Sequence, residues 1–212
     1  MKPASTQLQQ TPQRIVAAAR ALMTERGVLE VSLADISERA GANVALVSYY
    51  FGNREGLMLA IVEADAEQAT AHLARLLAAD ITPAAKIAAH VRGLIETYYA
   101  RPYLHRLLQK LLREGSPEVS ARVAETLVQP VAAARRAIIA EGVAQGAFRP
   151  VDPGLIGFAI DGACGHVFSS EQSRRTVLGD GALSHALVRR YAREVSELVV
   201  NGLMTHAPHP AG

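Results

Sequence analysis

The stretch from Ser32 to Arg54 reads SLADISERAGANVALVSYYFGNR, two short helical patterns separated by Ala40-Gly41-Ala42-Asn43. Ser32-Leu33-Ala34-Asp35 is a capping-box-like start, with the shorter Asp in place of Glu. Gly41 supplies a left-handed stop without a Cβ penalty. In the first helix Leu33, Ile36 and Ala40 are the apolar positions. In the second, Val47 and Phe51 lie four apart and face inward, which leaves Asn43, Val44, Ala45, Ser48 and Tyr49 on or beside the outer face. Two helices joined by so short a Gly-containing turn predict a helix-turn-helix.

Outward from this motif, apolar residues recur at three- and four-residue steps nearly everywhere, and strand-like alternation is scarce. Thr11-Pro12 reads as the N-cap and first position of a helix carrying Ile15, Ala18, Ala19, Leu22 and Met23 as far as Gly27. Asn53 caps a longer helix carrying Leu57, Ile61, Leu73 and Leu76. Thr82-Pro83, Arg101-Pro102, Ser116-Pro117 and Asp152-Pro153 open the next four, and Gly115 and Gly146 close two of them. Pro130 falls inside the helix from Ser116 to Gln145 and predicts a kink there. Residues 171–180 are polar and read as a loop before a ninth helix that ends near Met204. The expected fold class is all-α, about nine helices. Residues 1–10 and 205–212 are expected to be disordered, 11–65 to form the helix-turn-helix domain with the motif at about 33–52, and 66–204 to form a second helical domain.

Composition narrows the class without choosing a function. The 212 residues are 50% hydrophobic and 20% charged, which fits a globular chain able to bury a core. Net charge is +2, too mild to argue for nucleic acid by bulk electrostatics. One cysteine, Cys164, cannot form an internal disulfide, and the first ten residues lack a signal-peptide apolar core; a reducing, cytoplasmic location is expected. No apolar run approaches the roughly 18–20 residues that span a bilayer. The chain contains no G-x-S-x-G, no phosphate-cradling P-loop and no His-Glu-x-x-His, so an enzyme is not expected. His206 and His209 lie three apart in a Pro-rich tail, and no metal or cofactor is expected.

A recognition helix sets its N-terminal residues against base edges in the major groove. Ser48 donates or accepts, Asn43 offers an amide, and Val44 and Ala45 suit a thymine methyl. Tyr49, Tyr50, Ser32 and Asn53 reach phosphates through hydroxyl or amide groups. Arg54 adds a charge where free backbone N–H groups at a helix start also favour a phosphate. On spacing alone, an αα-hairpin packed inside a helical protein reads the same way. The alternatives are a helical dimeric interaction or scaffold protein that has lost specific DNA binding, and, less favoured, a small helical enzyme.

Residues from about Gln13 to Val62 resemble the DNA-binding domain of tetracycline-repressor (TetR) family regulators. The resemblance rests on Ile15-Val16-Ala17-Ala18-Ala19, Gly27, Asp35-Ile36 with Glu38-Arg39-Ala40-Gly41, and the run from Ser48 to Leu57. It implies a ligand-responsive transcription regulator, more often a repressor, that binds double-stranded DNA as a homodimer. Residue by residue, it implies that Tyr49 and Tyr50 contact the DNA backbone and that Arg54 sits on a phosphate. It makes Asn53 the cap of the fourth helix, and Ser32 the cap of the second, close to phosphate. Ser48 stands where many members carry tyrosine, and Val44 replaces a residue that is frequently polar or basic. Both departures bear on the operator sequence.

The second domain resembles the family only in architecture. By that analogy, residues 153–170 and 181–204 form the homodimer's four-helix bundle. The glycine-rich 153–168 segment suits close helix approach, and Leu183, Leu187, Tyr191, Val195, Leu198, Val199 and Leu203 form a matching stripe. A pocket for an unidentified small-molecule effector is expected between helices. Its candidate lining is Tyr98, Tyr99, Tyr103, Arg106, Asp161, His166 and Phe168.

Overall fold

A computed structural model describes residues 4–169, 171–179 and 182–205. The expectations for residues 1–3 and 206–212, including His206 and His209, lie outside the described residues. Among the described residues there is no β-strand, only an isolated antiparallel bridge between Phe148 and Met204. The helices are α1 Ala4–Arg26, α2 Leu33–Ala40, α3 Val44–Phe51, α4 Arg54–Ala78, α5 Pro83–Ala100, α6 Leu104–Glu114, α7 Pro117–Val123, α8 Gln129–Ala144, α9 Pro153–Ser169, α10 Glu171–Leu178 and α11 His185–Leu203. A single π-helical turn, Ala124–Val128, joins α7 to α8. With that stretch taken as one helix there are ten among the described residues, close to the number expected.

Most boundaries follow the caps written in the sequence. Ser32 Oγ accepts from Asp35 N at 3.0 Å, and Asn43 Oδ1 accepts from Ala45 N at 2.9 Å. Thr82 and Asp152 accept from backbone N–H groups in the first turns of α5 and α9. Ser184 caps α11 through Leu187 N. Each such cap stabilises its helix by about 1 kcal/mol.

Two expectations are corrected, and a third takes a specific form. Helix α1 begins at Ala4 rather than Thr11, with Pro12 inside it, so residues 4–10 are helical. Their glutamines and leucine are good helix formers, and Pro12, lacking an N–H, forfeits one bond to the turn before it. Residues 171–178 form α10 instead of a loop. That helix has no buried face, so apolar periodicity is blind to it. It is held by a Glu171–Arg175 pair at 2.7 Å, in the acid-first i,i+4 order that suits the helix dipole, and by a Thr176 hydroxyl donating to Gln172 O. The disturbance at Pro130 takes the form of the π turn just before it, which widens the ladder where proline has no N–H to give.

The chain packs as two units. The first runs to Gln68 and takes in Arg101–Leu127; the second comprises Ala69–Ala100 and resumes at Val128. By packing, α6 and α7 belong with α1–α3. The first core is built from Ile15, Ala19 and Leu22 of α1, Ile36 of α2, Val47 of α3, Leu57 and Ile61 of α4, and Leu107 and Leu111 of α6. The second gathers Ile87, Val91 and Ile95 of α5, Ile138 and Ile139 of α8, Ile160 and Cys164 of α9, and Val188 and Val195 of α11. Burying each of the valine, leucine and isoleucine side chains among these contributes about 1.5–3 kcal/mol.

Candidate nucleic-acid interface

Helices α2 and α3 pack on α1, with Ile36, Ala40 and Val47 buried between them. The turn between them favours glycine because Gly41 has φ +59°, and the Arg14 guanidinium beside it donates to Ala40 O. At the far end of α3, Gly52 closes the helix on Ser48 O, and Asn53 starts α4 by accepting from Gly56 N at 2.9 Å.

This frame turns one face of α3 outward. Asn43, Val44, Ala45, Ser48 and Tyr49 are all exposed, and Tyr49 is 80% exposed, an unusual position for a large aromatic ring in a folded chain. Tyr50 is half-buried, edge-on to Tyr49 at 5.1 Å and tilted against Phe51 at 6.4 Å. Ser32 and Asn53 are exposed and already serve as caps through their oxygens, which leaves the Ser32 hydroxyl hydrogen and the Asn53 amide to give. Arg54 is turned toward the α1–α2 connection: it donates to Leu29 O and pairs with Glu30, both at 3.3 Å. The sequence placed Arg54 near phosphate but gave no sign of Glu30 as its partner.

The effector candidates fall in both units. In the second unit, Tyr98 meets the Phe168 ring edge-on at 6.0 Å, Tyr99 meets His185 at 4.7 Å, and Asp161 pairs with Arg135. His166 is exposed. Tyr103 and Arg106 belong to the first unit, where Tyr103 donates to Asp65 and Arg106 donates to Gly27 O at 2.7 Å, closing the end of α1.

Two polar clusters, built on the buried Arg135 and Asp65, are not apparent in the sequence, which offers only Asp161 and Tyr103 of their members. Arg135 lies buried in α8, with Nε donating to His90 Nε2 at 2.9 Å and Nη1 donating to Asp161 at 3.0 Å and Gly157 O at 3.3 Å. Burial, with the Arg135 charge beside it, lowers the His90 pKa to about 3, so the ring is neutral and accepts. Burial also pushes the Tyr98 hydroxyl up, and the Cys164 thiol up to about 12. The other cluster centres on Asp65. In sequence, Arg135 sits beside Arg136 in an Ala-rich helix and reads as a solvated face. Nothing local marks a partner 45 residues away.

A small apolar cleft of about 260 Å³ lies in the second unit, lined by Thr70, Leu73, Ala74, Leu77, Pro130, Ala133 and Ala134. None of the sequence candidates lines it. Among the described residues no group of three or more His, Cys, Asp or Glu side chains is placed to hold a metal ion, and no helix is long and apolar enough to cross a membrane.

An exposed α3 held by α1 and α2 in one helical unit, with a second helical unit in the same chain, defines a helix-turn-helix protein with a further helical domain. Residues 15–61 match the family described as bacterial regulatory proteins, tetR family, and residues 80–209 match the tetracyclin repressor-like C-terminal domain. The chain belongs to the TetR family of transcriptional regulators, whose members are regulators rather than enzymes and carry a ligand-binding C-terminal domain. Three solved structures share the fold. They are the transcriptional regulator FadR from Bacillus subtilis in complex with stearoyl-CoA (19% identity, 90% of this chain and 98% of that one, TM-score 0.71), a TetR/AcrR family regulator from Thermobifida fusca (24%, 90% and 97%, 0.69) and the TetR family regulator PfmR from Thermus thermophilus (22%, 91% and 100%, 0.69). No curated protein matches the sequence.

Proposed function

We propose that the chain is a repressor that binds a quasi-palindromic operator as a homodimer and leaves it when a small-molecule effector binds the second unit. The observation that carries this reading is the outward face of α3, where Asn43, Val44, Ala45, Ser48 and the 80% exposed Tyr49 stand over a fully buried Val47. In this pose the α3 N-terminus meets base edges, Ser48 and Asn43 select sequence, and Tyr49, Tyr50, Ser32, Asn53 and Arg54 position the helix on phosphates. Two copies reach successive major grooves about 34–36 Å apart.

The dimer is supported by an apolar surface on α9 and α11. Phe158 is 80% exposed, and Leu155 and Leu198 are nearly as open. Such rings and leucines on two helices of one unit are the expected core of an isologous four-helix interface. The cytoplasm is the compartment in which such a regulator meets DNA.

For the effector, the apolar cleft on α4 and α8 suits the hydrocarbon part of a ligand, near the lower end of small-molecule pocket volumes. The similar Bacillus subtilis regulator is in complex with stearoyl-CoA, which makes acyl compounds the first class to screen here. An effector that favours a conformer with the wrong half-site spacing must bind the DNA-bound form more weakly by the same coupling free energy, typically ~1–3 kcal/mol. Footprinting on DNA flanking the protein's own coding region tests the reading: protection of an inverted repeat supports it, and uniform cleavage at every protein concentration refutes it.

A further inference from the structure

All five arginines between residues 4 and 60 are engaged by acceptors. Arg14 donates to Ala40 O, Arg20 pairs with Asp65, Arg26 with Asp35, and Arg39 grips Glu25 through two bonds at 2.7 and 2.9 Å. Those four tie helix to helix. The fifth, Arg54, reaches the connection before α2, where it donates to Leu29 O and pairs with Glu30. Glu30 lies in the connection before α2, its side chain is 69% exposed, and one carboxylate oxygen takes Arg54 at 3.3 Å. Its other oxygen faces Lys110 Nζ of α6 at 3.8 Å, an ammonium that also pairs with Glu114 at 3.3 Å.

An exposed pair of this kind adds little to folding stability. Its consequence is competition. Arg54 is 40% exposed at the first position of α4, beside backbone N–H groups that have no helical acceptor. A phosphate arriving there meets a guanidinium already held by the Glu30 carboxylate, whose charge also repels it. In a headpiece whose other arginines are spent on internal acceptors, one phosphate contact is a large share of the electrostatic affinity.

The geometry points to Glu30 as a positioning residue that sets DNA affinity: its carboxylate holds Arg54 back from the phosphate, and Lys110 relieves the restraint by drawing the same carboxylate toward α6. This rests on the DNA-binding reading above, through the Arg54 phosphate contact.

The test uses the full-length protein and a labelled duplex from the DNA flanking its coding region, with binding followed by fluorescence anisotropy across salt concentrations from roughly 0.05 to 0.3 M. E30Q is expected to bind about five-fold tighter at about 0.1 M salt, with a log–log salt slope steeper by about 0.9, the signature of one added phosphate contact. The gain disappears when Arg54→Ala is added. K110Q weakens binding about two- to three-fold, and that loss vanishes in E30Q/K110Q, as a shared partner requires. Glu125→Gln is the charge control. Glu125 shares Arg122 with Glu63, which lies nine residues along α4 from Arg54, about 14 Å and beyond a Debye length, so affinity stays within about two-fold. An E30Q protein with wild-type affinity and slope overturns the proposal while leaving the DNA-binding reading intact, as does a gain that survives Arg54→Ala. A wild-type protein that binds no duplex at low salt overturns both.

Discussion

Tyr103 donates its phenolic hydrogen to Asp65 at 3.1 Å, across 38 residues of chain. The carboxylate is buried and also meets the Arg20 and Arg101 guanidiniums, so one side chain of α4 joins α1 to the α5–α6 connection. Burial pushes the Asp65 carboxyl up from its ordinary range, while Arg20, Arg101 and Tyr103 pull it back. The same burial, with the Asp65 charge beside it, pushes the Tyr103 hydroxyl up and keeps it a donor. Tyr103→Phe strips one donor from a buried carboxylate and is expected to cost about 1.5–3 kcal/mol. Urea unfolding followed by circular dichroism measures it; an unchanged midpoint would mean the hydroxyl is not a partner.

His90 gives a pH signature. Its folded pKa of about 3 lies below the ordinary 6.5, so between these values the unfolded chain binds a proton that the folded chain refuses. Stability from this group is present above pH 6.5 and is lost as pH falls toward 3, with a slope of about 1.4 kcal/mol per pH unit inside the window. His90→Gln keeps an acceptor for Arg135 and removes the proton. Its stability between about pH 4 and 6.5 is expected to fall less steeply than the wild type's, as measured by chemical denaturation at each pH. Parallel curves would show that His90 does not remain neutral in the fold.

What was legible in the sequence was local. Ser32, Gly41, Asn43 and Asn53 announce helix ends because capping acts over two to four residues, and the structure uses all four in that way. The exposed face of α3 followed from the four-residue spacing of Val47 and Phe51. Helix α10 was not legible, because a helix held by Glu171 and Arg175 with no buried face leaves no apolar period. The Asp65 and Arg135 clusters were not legible either. Their partners are separated by 22 to 45 residues, and Tyr103 and Arg106, read as pocket residues, are held by acceptors in the first unit.

Substitutions on α3 separate positioning from selection. Tyr49→Ala is expected to weaken binding to every duplex alike, because a phosphate contact carries no sequence information. Ser48→Ala and Asn43→Ala are expected to change the ranking among operator variants, by about 1–3 kcal/mol at the affected base pair. Selection from a randomised duplex pool reads the difference. Identical preferences in all three variants would place the base contacts elsewhere.

The α9–α11 surface makes a prediction about assembly. Phe158→Asp puts a charge at the proposed interface while Phe158 touches little within one chain. Sedimentation is expected to move from dimer to monomer with unchanged helical content, and operator affinity is expected to fall with it. A variant that stays dimeric places the interface on another face.

The central claim is that this chain recognises DNA through the shape and contacts of α3 rather than through net charge, which is only +2. Fluorescence anisotropy against the flanking duplex and a scrambled duplex of equal length, titrated across salt, tests it most directly. Selective binding that persists at physiological salt is expected, with weak affinity for the scrambled duplex that salt abolishes. Equal affinity for both duplexes at every salt concentration, or none at low salt, would contradict it.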